Sequence, residues 1–202
     1  MRFLCVSALV LGLAQSVYSQ AGTQASLLAA VSKYPDLSAF SGILSGFPGI
    51  LPTLLGGSSN GVTVLVPTNA AITKFLGQGN VTDISQFPVA QLQTVLRYHI
   101  LAAKLKTENF TLPRGLTIPT ILKDVLYNNR TAGKGITDLY GPDATGQVLF
   151  VQKDPIAKPS KFKVRQSLSG SSASLRAGLA QVATLTAVDG VWDGGYFQVV
   201  DK

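Results

Sequence analysis

The chain has 202 residues, with 17 Lys and Arg against 10 Asp and Glu and a formal net charge of +7. Its 46% hydrophobic and 13% charged content fits a compact globule with a modestly charged surface. The positive excess is too diffuse for the footprint of a nucleic-acid binder and favours acidic partners only weakly. A single histidine and a single cysteine argue against a protein zinc site.

Met1 and Arg2 give a short basic start, and Phe3 to Ala14 is an apolar run broken by Ser7 and Gly12. With Val17-Tyr18-Ser19 behind it, this predicts a secretory signal over residues 1–19, too short for a spanning helix. Cys5 lies inside that segment, so the exported chain relies on its core rather than on disulfides. One domain is expected over 24–202. Three acceptor sequons follow the signal, at Asn80, Asn109 and Asn129, and each predicts a surface position open to N-glycosylation.

Ser26 or Thr23 can cap a first helix through Leu27, Leu28, Val31 and Tyr34, closed by Pro35. Leu37, Phe40, Ile43 and Leu44 recur at helical spacing, and Phe47 to Leu55, with two prolines, reads as a short irregular helix. Val62 to Val66 is a β-branched run that stops at Pro67, which has no N–H for a sheet ladder. Thr68 or Asn69 can then cap a helix whose Ala71, Ile72, Phe75 and Leu76 share one face. Pro88 opens another helix lined by Val89, Leu92, Val95, Leu96, His99 and Ile100.

After that the period changes. Leu116 to Leu122 reads as extended, interrupted at Pro119. Further short strands are expected at Val125–Tyr127, Gln147–Val151, Lys161–Arg165, Gln181–Val188 and Tyr196–Val200, with 166–174 as a Ser-rich loop. Helices first and strands later predict an α+β fold.

The strand–cap–helix joint at Val64–Phe75 resembles the first signature of the fasciclin domain, a module of extracellular adhesion proteins. Leu96-Arg97-Tyr98-His99-Ile100-Leu101 resembles the family's central Tyr-His motif, and Thr120-Ile121-Leu122 the segment after it, with Lys123-Asp124 in place of the usual glycine. Gly194 to Asp201 resembles the closing strand, with Gln198 where a histidine is usual. The resemblance implies a short-stranded β-wedge or sandwich with helices packed at one end. Thr68, Asn69, Tyr98 and His99 are its motif residues; Tyr98-His99 has been linked to integrin recognition in animal members. The family usually continues past Lys202 with Val-Leu-x-Pro, so the chain reads as the first of a tandem pair cut short or as a trimmed single-domain relative. The long stretch from Asn128 to Ser174 reads as inserted loops around two added or lengthened strands.

His99 sits among Leu96, Ile100 and Leu101, which favours a core-facing ring bonded to backbone or hydroxyl over a catalytic one. Gly57-Ser58-Ser59-Asn60-Gly61 matches a nucleophile elbow in letters, but the elements around it stand in the reverse order, so a surface loop explains it. A hydrolase would need Ser59 within reach of His99. Gly133-Lys134-Gly135 lacks phosphate-loop spacing. Asp189 and Asp193, flanking Trp192, read as turn residues. Lys161, Lys163 and Arg165 would share one face of a strand, either as a cationic ridge for anionic polysaccharide or membrane headgroups or as lysine protection of an edge. The expected function is secreted adhesion or scaffolding against cell-surface or matrix glycans or proteins, without catalysis, cofactor or metal. The alternative is an extracellular accessory protein binding an apolar small molecule in metabolite biosynthesis, marked by an aliphatic cavity beneath Phe47–Leu55.

Overall fold

The computed structural model describes residues 23–56, 61–79, 81–110, 114–124, 126, 133–153, 172–176 and 182–201. The expected signal segment and the Lys161–Arg165 strand lie outside the described residues. A first helix, α1 (23–31), leads through a 3-10 turn at Pro35–Leu37 to α2 (Ser38–Gly46) and α3 (Ile50–Leu55). Strand β1 (Val62–Pro67) is followed by α4 (Asn69–Gln78), a 3-10 turn at Ile84–Gln86 and α5 (Val89–Tyr98). Then come β2 (Ile100–Leu101), α6 (Thr107–Phe110), β3 (Leu116–Pro119), α7 (Lys134–Tyr140), β4 (Val148–Lys153), β5 (Ser172–Arg176), β6 (Val182–Trp192) and β7 (Gly195–Val200). Helices and strands combine in an α+β fold.

The strands form one sheet in the order β2-β1-β7-β6-β5-β4-β3. β1 runs parallel to β7, and every other neighbouring pair is antiparallel. The two ends of that order also meet. Ala102 donates its N–H to the Pro119 carbonyl and Ile121 donates to the Ile100 carbonyl, each at 2.9 Å. The sheet is thus rolled and sewn at one end, which covers edge groups that would otherwise template aggregation.

β1 is buried on both faces, hence its unbroken apolar lettering. With a side-chain period of two, Val62, Val64 and Val66 face the helical core with Phe197 and Val199 of β7. Leu65 and Val200 face the second core, inside the roll, with Leu101, Phe110, Ile118 and Leu185. Thr63 also points inward, fully buried. Its hydroxyl donates to the Ala103 carbonyl at 2.7 Å and accepts the Leu105 N–H at 2.8 Å, which removes the cost of burying it.

Two amides hold the helices together. The N-terminus of α2 has no cap of its own. Asn69 supplies one from 30 positions away: its Oδ1 accepts the Ala39 N–H at 2.8 Å, and its Nδ2 donates to Ser38 Oγ at 2.9 Å and the Pro35 carbonyl at 3.2 Å. Gln24 of α1 does the same between α2 and α3. It donates to the Leu44 and Phe47 carbonyls and accepts the Gly49 and Leu51 N–H groups, while only 8% exposed. Gly49, at φ 84, makes the left-handed turn that starts α3. Replacing Asn69 with alanine should lower stability by about 1–2 kcal/mol in urea denaturation. An unchanged midpoint would mean that α2 needs no partner for its first N–H groups.

Several expectations are corrected. Leu126 is no strand residue: it is 87% exposed in a turn closed by Asp124 Oδ1 on its own N–H at 2.9 Å. Residues 172–174 belong to β5, not to a loop, because β4 and β6 supply ladders on both sides. The stretch read as inserted loops contains α7, a helix with no buried residue and therefore no apolar period to see. Ile100 has left α5 for β2, and Val89 is 50% exposed. Phe75, expected on the apolar face of α4, is 40% exposed. Tyr34 ends outside α1, where Pro35 opens the 3-10 turn.

Candidate functional site

The Tyr98-His99 pair is the turn that converts α5 into β2. Leu92 and Leu96 anchor α5 in the core. His99 closes the helix, its N–H donating to the Val95 and Leu96 carbonyls, and its ring Nδ1 donates to the Val95 carbonyl at 2.8 Å. Its own carbonyl accepts the Leu65 N–H at 2.7 Å, which starts the ladder that Ile100 continues against Val64. Tyr98 meets the imidazole edge-on, with centroids 6.1 Å apart. Burial raises the Tyr98 phenol pKa.

His99 is partly exposed, but the protein packed around its ring is dense. Burial lowers its pKa below the ordinary 6.5, against a smaller raising effect of the Val95 hydrogen bond. Folding therefore favours the neutral ring. The stability is whole above pH 6.5, where the ring is neutral folded and unfolded, and is lost as pH falls from there to the lower folded value. Each unit between the two values is worth about 1.4 kcal/mol. Between pH 7.5 and 5.5 the urea midpoint should fall, and His99→Asn should flatten that slope. An equally steep slope in the variant would assign it to other groups.

Of Thr68 and Asn69, either of which is expected to cap α4, Thr68 takes that role. Thr68 caps α4, its Oγ1 accepting the Ala71 N–H at 3.2 Å, while Asn69 reaches across to α2. The first joint and the Tyr98-His99 turn come together on one cavity of about 250 Å³. Its walls are Phe40 and Ile43 of α2, Ala71, Ile72 and Phe75 of α4, and Leu92, Val95, Leu96, Tyr98 and His99 at α5, with Pro67, Ile84 and Phe87. Phe75 and Phe87 stack at 5.4 Å. A larger cavity of about 670 Å³ adjoins Leu54 and Leu55. The space beside α3 is thus not the aliphatic one expected there: Arg97, Lys123, Asp124, Tyr140 and Asp143 line it.

A polar knot went unforeseen. Gln198, fully buried where the family motif usually carries histidine, donates through Nε2 to Asp189 Oδ1 at 2.6 Å and accepts the Asp189 N–H at 3.1 Å. Asp189 stands at φ 45 in a β6 bulge between Thr186 and Gly190. Its carboxylate accepts the Thr107 N–H and hydroxyl, each at 2.8 Å, and so fastens the start of α6 to the sheet. Asp193 lies apart from it, in the turn before β7, where its N–H donates to Ser26 Oγ of α1 at 3.1 Å.

Asn109 lies in α6, partly exposed, and its Oδ1 accepts the Lys106 N–H at 2.8 Å. Asn80, Asn129, Ser59, Lys161, Lys163 and Arg165 lie outside the described residues. Among the described residues, no three His, Cys, Asp or Glu side chains are grouped to hold a metal ion, and no helix is long and apolar enough to cross a membrane.

The model of the fasciclin domain matches residues 35–157, well over half the chain. The chain belongs to the fasciclin-domain family. Among solved structures it is similar to a FAS1 domain pair from the insect cell adhesion molecule fasciclin I, at 16% identity and a TM-score of 0.48. That alignment covers 81% of this chain and 43% of the insect one, so this chain spans under half the length of that structure. No curated protein matches the chain.

Proposed function

We propose that this protein works outside the cell as an adhesion or scaffolding module, exported by a leader ending near Ser19 and making contact through its exterior without catalysis. The observation that supports this most is the use made of the Tyr98-His99 motif in a fasciclin domain. Its ring Nδ1 and its backbone groups are used on Val95, Leu96 and Leu65, as a joint between helix and sheet. Recognition then falls to the outer surface of an exported chain whose net charge, with Arg2 removed, is +6 and whose sequence carries sequons at Asn80, Asn109 and Asn129. The partners are cell-surface or matrix glycans or proteins. Lys161, Lys163 and Arg165 serve as the polyanion contact, with an affinity that falls as salt rises.

An array of polysaccharides, glycoproteins and lipid vesicles, probed at two salt concentrations, tests this reading. The native chain should bind anionic surfaces more strongly at low salt, and neutralising Lys161, Lys163 and Arg165 to glutamine should remove that salt-sensitive part. A variant that binds like the native chain at both concentrations would dismiss the ridge. Failure to bind any matrix or surface component would dismiss the adhesion reading.

A further inference from the structure

We propose that the cavity between α4 and α5 is a binding site for a small aromatic alcohol or phenol, whose ring system enters between the helices and whose hydroxyl donates to Nε2 of His99. This is independent of adhesion at the outer surface. The cavity, about 250 Å³, lies just under the usual range of small-molecule sites, which suits one or two fused rings. Its walls are almost wholly apolar, and its two polar side chains, Tyr98 and His99, are adjacent in sequence. That is the pattern of an oriented apolar ligand: a hydrophobic body fixed by a few polar groups.

The aromatic lining favours flat rings. Phe40 stands in one wall, and the stacked Phe75–Phe87 pair forms another, with Phe75 40% exposed. Ala71 adds space: it is 6% exposed and lines the cavity from α4, at a place where a longer aliphatic side chain would fill it.

The chemistry of the polar pair follows from one hydrogen bond. A carbonyl oxygen can only accept, so Nδ1 of His99, 2.8 Å from the Val95 oxygen, carries the proton. In the neutral ring Nε2 is then an acceptor, and among the described residues it has no hydrogen-bond partner. Burial keeps the ring neutral, so the acceptor persists at neutral pH. An ether or a bare hydrocarbon would fill the same walls and forgo that hydrogen bond.

Fluorescence titration of the full exported chain with 2-naphthol, 2-methoxynaphthalene and naphthalene tests the site. The native chain should bind 2-naphthol saturably at one site, about fivefold or more tighter than 2-methoxynaphthalene, the ratio one hydrogen bond supplies. Ala71→Leu should weaken all three by about tenfold or more through lost space, and Val191→Ser, on an exposed residue of β6, should change none. His99→Phe should reduce 2-naphthol to the level of its methyl ether and leave the ether unchanged. Circular dichroism checks each variant. If Ala71→Leu does not fold, Ile43→Phe fills the cavity from α2; if His99→Phe does not fold, the ligand pair on the native chain decides the acceptor. Absence of saturable binding, indifference to the filling variant, or equal affinity for 2-naphthol and its ether would overturn the proposal.

Discussion

Gly195→Ala should cost at least about 3 kcal/mol, enough to leave much of the chain unfolded at ambient temperature. Gly195 opens β7 at φ 142, where side-chain-bearing residues are strained. It also pairs with Val62 of β1 in the parallel ladder and with Trp192 of β6. A Cβ at this position would land on the Val62 carbonyl oxygen. That oxygen is backbone, in a strand buried on both faces, so relief requires parting β1 from β7. The penalties of strain and overlap act together. Urea denaturation followed by circular dichroism gives the value, and a loss below about 1 kcal/mol would mean that the sheet yields there easily.

Phe197→Ala should cost about 3–5 kcal/mol, the range for emptying a buried aromatic position. Phe197 is 1% exposed, opposite Val64 in the ladder, and Tyr34 meets it edge-on at 5.8 Å. The neighbouring strand yields space for it: a Cβ on Gly190 would run into the Phe197 ring. Helices and sheet thus share this one side chain, and its loss opens the boundary between them. Phe197→Leu keeps most of the apolar volume and should cost less than half as much. Equal losses in the two variants would show that the edge-on ring contact, rather than filled space, sets the stability.

The joint at β1 and α4 was legible in sequence because each of its steps has a local cause. β-branched residues extend the chain, Pro67 ends the ladder, and Thr68 caps the helix three residues before the N–H it accepts. The short strand β2 and the short helix α6 after α5 carry no such signal. β2 has two residues and α6 four, fewer than either period needs, and each is held by a distant partner, β2 by β1 and α6 by Asp189. β5, Ser-Ala-Ser-Leu-Arg, is a strand by virtue of its neighbours' backbones rather than its own side chains.

At the site, the Tyr98-His99 pair was visible as a motif and its core-facing side followed from Leu96, Ile100 and Leu101. The cavity beside it was not, since Phe40, Ala71 and Phe87 come from three separate segments. Gln24, Asn69 and Gln198 show a second limit. Each is one amide joining elements through backbone groups, and no spacing rule marks an amide that will bridge distant segments. Asp189 was read as a turn residue; its positive φ agrees with turn chemistry, but its carboxylate serves α6.

Retention of coated beads under flow bears most directly on the claim that contact is made from the outside of a stapled fold. Beads carrying the native chain should hold to surfaces coated with extracellular polysaccharide or glycoprotein, and beads carrying Tyr98→Phe, whose ring remains and only its hydroxyl is gone, should hold equally well. Native beads that detach as readily as bare ones, or a Tyr98→Phe chain that melts normally yet no longer adheres, would contradict it.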